Sequence, residues 1–132
     1  LGKSKAKDIS ACMQMLRDDF DCKVPENMDD LLKLPGVGRK SANLIMGDVF
    51  GQPAIVTDTH CIRLSNRIGL VDDIKYQRKV EIALWQIIPP EESNNICHRF
   101  VDHGRAVCTA RTKPHCDNCV LMDICREAST KQ

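Results

Sequence analysis

Four cysteines crowded into the last quarter of the chain constrain it more than any other feature. Cys108, Cys116, Cys119 and Cys125 fall within 18 residues, with seven, two and five residues between successive sulfurs. A loop that short can wrap four thiolates around one centre, but it could hardly close them as two unstrained disulfides, which demand a set torsion and a narrow range of Cα separations. The run therefore reads as a metal site. In number the ligands suit Zn²⁺ and a [4Fe–4S] cluster equally. Spacing leans toward iron–sulfur, because zinc ribbons present two short C-x2-C knuckles far apart and only Cys116 and Cys119 form a knuckle here. Zn²⁺ stays open as the alternative.

The chain has 132 residues, 42% of them hydrophobic, which is enough for one modest core or parts of two small ones. No apolar run approaches the roughly 18 residues of a membrane span, and no secretory leader is evident, so the expectation is a soluble, cytoplasmic protein with no membrane partner. Eight cysteines in such a protein serve as ligands or core fillers. Cys12, Cys22, Cys61 and Cys97 stand singly in helix-like contexts, and each is expected to be a buried free thiol. The formal charge of +1 announces no polyanion partner by itself. Locally the picture differs: from His98 to His115 the chain carries Arg99, Arg105, Arg111, Lys113 and three histidines against a single acid, Asp102. That makes the cysteine region a basic patch, although a solvated charged face would look the same.

Hydrophobic spacing predicts helix nearly everywhere. Ile9, Cys12, Met13, Leu16 and Phe20 make one apolar stripe, and Val80, Ala83, Leu84, Ile87 and Ile88 another around Trp85. Val24-Pro25 should close the first helix, Gly51-Gln52-Pro53 should break the chain in the middle, and Pro89-Pro90 should end one helix before Glu91-Glu92 opens the next. Ala54 to Thr57 could pass for a strand but is too short to found a sheet. The fold class is all-α.

Leu34-Pro35-Gly36-Val37-Gly38-Arg39-Lys40 lies between a short helix from about Asp29 and a longer one reaching Phe50. Gly36 and Gly38 allow a tight hairpin with outward-facing N–H groups, and the next helix offers its own unpaired N–H groups at the same spot. That arrangement binds anions and suits a nucleic-acid phosphate, a contact that carries no sequence information. On the helix beyond, Ala42, Ile45, Met46 and Val49 form the apolar stripe and Lys40 falls opposite, where pattern alone reads it as a solvated lysine. Pattern alone likewise reads Asp58 as an acid at a helix N-terminus. His60, His98, His103 and His115 receive no metal role, since four thiolates complete a site.

LPGVGRKSAN at 34–43, VTDTHCIRLSNRIGL at 56–70, and HGRAVCTAR at 103–111 leading into the cysteine run together resemble the endonuclease III family of DNA glycosylases, in the helix–hairpin–helix superfamily. The likeness runs from about Lys3 to Cys125. It implies a base-excision-repair enzyme, a bifunctional glycosylase and AP lyase whose partner is duplex DNA with damaged pyrimidines or abasic sites. It also implies a [4Fe–4S] cofactor, a monomer when full length, and a bacterial, nucleoid-associated setting. By position, Lys40 matches the catalytic lysine and Asp58 the catalytic aspartate, 18 residues on, so that the two can meet across the turn at Gly51 to Pro53. Gly36, Val37 and Gly38, with Arg39 beside them, match the phosphate-binding hairpin. Cys108, Cys116, Cys119 and Cys125 match the cluster ligands; Arg111 and Lys113, in the basic patch around them, are expected to add DNA contacts. The expected domains are a remnant of a six-helix barrel at 1–52 and a helical iron–sulfur domain at 53–132.

Two departures stand out. The first cysteine interval holds seven residues where the family has six, so the loop should bulge by one. The chain also begins at a point that resembles the family's interior, with about 80 residues and their barrel helices expected before it in a two-domain enzyme of about 200. Alone it is expected to be weakly active or inactive. The alternative from another class is a non-catalytic, metal-stabilised DNA-binding module.

Overall fold

The computed structural model describes residues 2–130, and every regular element among them is helical. Ala54 to Thr57 forms no strand; Ala54, Ile55 and Thr57 are buried as irregular chain. The chain divides into two compact units, the first ending at Ala54 and the second beginning at Ile55.

The first unit holds α1 (Gly2–Asp19), α2 (Met28–Lys33) and α3 (Arg39–Leu44), the last continued by a π-helical turn over Ile45–Val49. Its core is small: Leu31, Leu34 and Ala42 are buried, with Cys12, Met15, Leu16, Phe20, Ile45 and Met46 packed partly against them. The expected stripe on α1 is therefore only half right. Cys12, Leu16 and Phe20 face the core and Met15 joins them, but Ile9 and Met13 are 65% and 61% exposed. So small a core covers only one flank of the helix, and these two residues sit on the other edge of the stripe. Cys12 is half-buried and Cys22 exposed, against the expectation that both would be buried.

Two boundaries also differ. Helix α1 ends at Asp19, five residues short of Val24, because Asp21 and Cys22 adopt left-handed backbone (φ 56° and 60°) and the Cys22 N–H turns back to the Leu16 carbonyl at 2.9 Å. This closure is usually made by glycine, and here no glycine signals it. After Leu44 the turn widens, with Phe50 N–H donating to Ile45 O at 3.3 Å. The wider turn shifts the helical register and swings Val49 out to 66% exposure, off the stripe it was expected to share with Ala42 and Ile45.

The second unit contains α4 (Thr59–Ile68), α5 (Gln77–Trp85), α6 (Ser93–Ala106) and α7 (Arg126–Thr130), with 3₁₀ turns at Pro90–Glu92 and Cys116–Asn118. Its core joins Ile55, Cys61, Leu64, Val80, Leu84, Cys97 and Phe100. Here helical spacing served better: Val80, Leu84 and Ile88 are buried, while Ile87, beyond the end of α5, is 52% exposed. Pro89-Pro90 marks the break before α6, and the acids Glu91 and Glu92 lie in the 3₁₀ turn that leads into it.

Candidate nucleic-acid and metal-binding site

In the first unit, Leu34, Pro35, Gly36 and Val37 form a tight turn closed by Val37 N–H donating to Leu34 O at 3.1 Å. Proline second and a left-handed residue third are the marks of a type II turn, and Gly36 has φ +80°. A Cβ at Gly36 would also lie 2.9 Å from Asp8 Cβ on α1. The two glycines thus do different work from the joint turn-forming role expected of them. Gly38 has ordinary extended backbone (φ −94°, ψ −176°), caps α3, and faces open space, with nothing within 4 Å of where a Cβ would stand. Its missing side chain leaves the backbone at the head of α3 approachable. Arg39 and Lys40 are the first two residues of that helix, Arg39 half-buried and Lys40 exposed. Val37 tucks partly into the small core and so anchors the turn.

In the second unit, Asp58 is the N-cap of α4, its Oδ1 accepting from Cys61 N–H at 2.8 Å. The capping role that pattern assigns is real, and it ties one carboxylate oxygen to the head of the helix. The segment entering Asp58 is tied down as well, because Val56 N–H donates to Cys97 Sγ at 3.3 Å. Cys61 and Cys97 are buried together, as expected of both. Their mutual hydrogen bond, followed by burial, pushes the Cys61 thiol far above the ordinary range, while the same bond draws Cys97 down.

The four clustered cysteines are half-buried and line one cavity, together with Arg67, Ile68, Val107, Leu121 and Ala128. Backbone bonds shape the loop around it: Cys108 N–H to His103 O at 2.8 Å, His115 N–H to Val107 O at 2.9 Å, and Cys125 N–H to Leu121 O at 2.9 Å. A single Zn²⁺ with bonds of about 2.3 Å needs its sulfurs within about 3.8 Å of one another. Among the described residues no three His, Cys, Asp or Glu side chains are gathered to hold one ion. The donor set itself, four thiols walled by apolar side chains, fits an iron–sulfur cluster, and hydrogen-bond donors are already turned toward the sulfurs. Leu121 N–H reaches Cys119 Sγ at 3.4 Å, His103 Nε2 lies 3.3 Å from the same sulfur, and Arg67 Nη1 is 3.2 Å from Cys108 Sγ. Arg111 and Lys113 are exposed on the segment between the first two cysteines, where Thr109 and Thr112 hydroxyls meet at 2.7 Å.

Sequence reasoning missed Arg63, Arg67 and His103. Arg63 Nη2 donates to Gly104 O at 3.1 Å and Cys108 O at 3.0 Å, and burial, then its neighbour Arg67, lowers its pKa. A Cβ at Gly104 would lie 2.6 Å from His60 Nδ1, so α4 and α6 cross closely enough for these bonds only because that residue is glycine. The signal was available: Arg63 and Arg67, four apart, put two cations on one face of a short helix whose other face is core. The structure brings Gly36 to Lys40 together at one hairpin and the four cysteines together at one cavity. Lys40 belongs to the first unit and Asp58 to the second.

A glycine-bearing helical hairpin in one unit and a cysteine-lined cavity in the other define an all-helical protein with a candidate anion-binding turn and a candidate thiolate metal site. Residues 1–90 match the model of the HhH-GPD superfamily base excision DNA repair proteins, and residues 108–125 match the iron-sulfur binding domain of endonuclease III. The chain belongs to the HhH-GPD superfamily, in its iron–sulfur, endonuclease III branch. The iron-sulfur match falls on the segment that holds all four cysteines, and their cofactor is a [4Fe–4S] cluster.

Among its relatives, endonuclease III of Bacillus subtilis (strain 168) is 39% identical over 99% of this chain and 59% of its own length. That of Rickettsia conorii is 42% identical over 95% of the chain and 59% of its own length. A solved structure of a trapped endonuclease III–DNA covalent intermediate superposes with a TM-score of 0.89 at 41% identity, covering 97% of this chain and 60% of that one. The chain thus spans about three-fifths of the length of the relatives it matches. No helix among the described residues is long and apolar enough to cross a membrane.

Proposed function

We propose that the chain works in base excision repair, as a DNA glycosylase with AP lyase activity on duplex DNA carrying oxidised pyrimidines or abasic sites. The observation that carries this reading is the pairing of an open phosphate-binding backbone at Gly38 with an exposed lysine two residues later. The hairpin takes a DNA phosphate on backbone N–H groups, with Arg39, Arg111 and Lys113 adding charge. The target nucleotide leaves the stack, because its C1′ is out of reach inside the duplex.

Lys40, as the neutral amine, bonds to C1′ while the bond from C1′ to the base breaks. Asp58 Oδ2 accepts a proton and offsets positive charge developing on the sugar. The sugar ring opens to a Schiff base as O4′ takes up a proton, water accepts a proton from C2′, and the C3′–O bond breaks with its electrons leaving on the 3′ phosphate, which cuts the strand on the 3′ side. Water then releases the lysine. Cys108, Cys116, Cys119 and Cys125 hold the cluster, which when bound cross-links the loop that presents Arg111 and Lys113. The barrel part is assigned to residues 1–52 and the cluster part to 53–132, in a protein that works inside the cell, beside its DNA, as a monomer.

Borohydride trapping on abasic-site DNA tests the reading. Lys40→Ala should abolish the trapped adduct and leave duplex binding largely intact, since the amine is the nucleophile and positions little. An adduct that survives Lys40→Ala would overturn the mechanism. Duplex binding with no adduct in the parent protein would favour a binding module instead.

A further inference from the structure

One residue touches both ends of the cysteine loop. Arg67, on α4 with its side chain 20% exposed, donates from Nη1 to Cys108 Sγ at 3.2 Å and to Thr109 O at 2.8 Å. Its Nε lies 3.3 Å from Glu127 Oε2 on α7, two residues past the last cysteine. One side chain therefore gathers the first cysteine, the residue after it and the segment just beyond the last cysteine.

We infer that Arg67 is a positioning residue that clasps the two ends of the cysteine loop around the cluster and sets the cluster's reduction potential through Cys108. The inference rests on the reading of the four cysteines as its ligands. Two arguments support a role beyond holding a loop to a helix. The ion pair of Arg67 with Glu127 is partly open to solvent and by itself holds α7 to α4 without touching a ligand sulfur. The contact to sulfur is different in kind. Four thiolates give the bound cluster a net negative charge in a cavity walled by Ile68, Val107, Leu121 and Ala128. A guanidinium, charged at every working pH, withdraws charge from Cys108 through its N–H and favours the reduced, more negative state. Arg63 does not share this role, because its bonds go to carbonyl oxygens of Gly104 and Cys108 and not to sulfur.

The test compares Arg67→Gln, Arg67→Lys and Glu127→Gln with the parent holoprotein. Three quantities are read: the bleaching rate of the thiolate-to-iron absorption near roughly 400 nm under a chelator, the cluster's midpoint potential by film voltammetry, and helix content by circular dichroism. Arg67→Gln should lose iron about tenfold faster, the usual scale for an outer-shell partner, with a potential more negative than the parent's. Arg67→Lys keeps the charge without the fork and should hold its potential nearer the parent while bleaching at an intermediate rate. Glu127→Gln should bleach somewhat faster with no negative shift. Arg67→Gln with the parent's potential and bleaching rate would overturn the inference. If that variant does not fold, Arg67→Lys decides, and its matching the parent in both readouts overturns the inference equally. A colourless parent would refute the cluster reading itself, and this inference with it.

Discussion

Gly36 and Gly38 are two residues apart in one hairpin, and substituting them should give opposite kinds of damage. Gly36→Ala forces an L-residue to φ +80°, which costs about 1–2 kcal/mol. It also sets a methyl 2.9 Å from Asp8 Cβ, an atom fixed to the α1 backbone, so relief requires the helix to shift; such overpacking costs about 1–3 kcal/mol. Together the loss is about 2–5 kcal/mol, a large share of the stability of a small unit. At a slope of about 2 kcal/mol per molar urea, the unfolding midpoint read by far-UV circular dichroism should fall by about 1–2.5 M.

Gly38→Ala meets neither obstacle. Its gain of about 0.4–1 kcal/mol from a stiffer unfolded chain roughly cancels a weaker cap, leaving stability unchanged within about 1 kcal/mol. What it should lose is duplex affinity, equally for damaged and undamaged DNA, because the contact is to phosphate. Bulkier residues at Gly38 should lose more. An unchanged midpoint for Gly36→Ala, or an equal loss of stability from both substitutions, would refute this division of labour.

Asp58→Asn should keep the helix cap, since asparagine caps as well as aspartate, yet slow base removal by about 10²-fold or more; Asp58→Ala should lose about 1 kcal/mol of stability as well. Single-turnover excision and urea midpoints on the two variants separate the roles. Replacing Arg111 or Lys113 with Ala should reduce the slope of log affinity against log salt by about 0.9 per lost phosphate contact, and an unchanged slope would leave them as ordinary surface. Cys116→Ser should lose both the brown colour and the fold of the loop, checked by absorption and circular dichroism, whereas stoichiometric zinc in a colourless parent would reject the cluster.

Much of this was legible because it is local. The cysteine spacing, the Leu34 to Lys40 phrase and the Pro89-Pro90 break each act over a few residues, and each appears where the chain places it. The failures share a cause too. Nothing near Asp21 and Cys22 advertises left-handed backbone, since the usual glycine is absent, and nothing near Met46 advertises a wider helical turn. Exposure of Ile9 and Met13 depends on how much core there is to cover them, a property of the whole unit. The bond from Arg67 to Cys108 spans 41 residues, so it exists only once α4 and the loop have met. Asp58 is the instructive case: the capping role read from pattern is the one the structure displays, and it engages one carboxylate oxygen, so the cap does not by itself exclude the chemical role proposed for it.

Cys61 and Cys97, sealed in the core and bonded to each other, matter for what they keep out of play. Iron arriving at the unfolded chain meets eight equivalent thiols and many wrong sets of four. Burial in the helical core of the second unit withdraws two of them, and Val56 N–H occupies the sulfur of one. The fold thereby edits its own ligand inventory, and correct metallation becomes a matter of which thiols are still reachable when the metal comes.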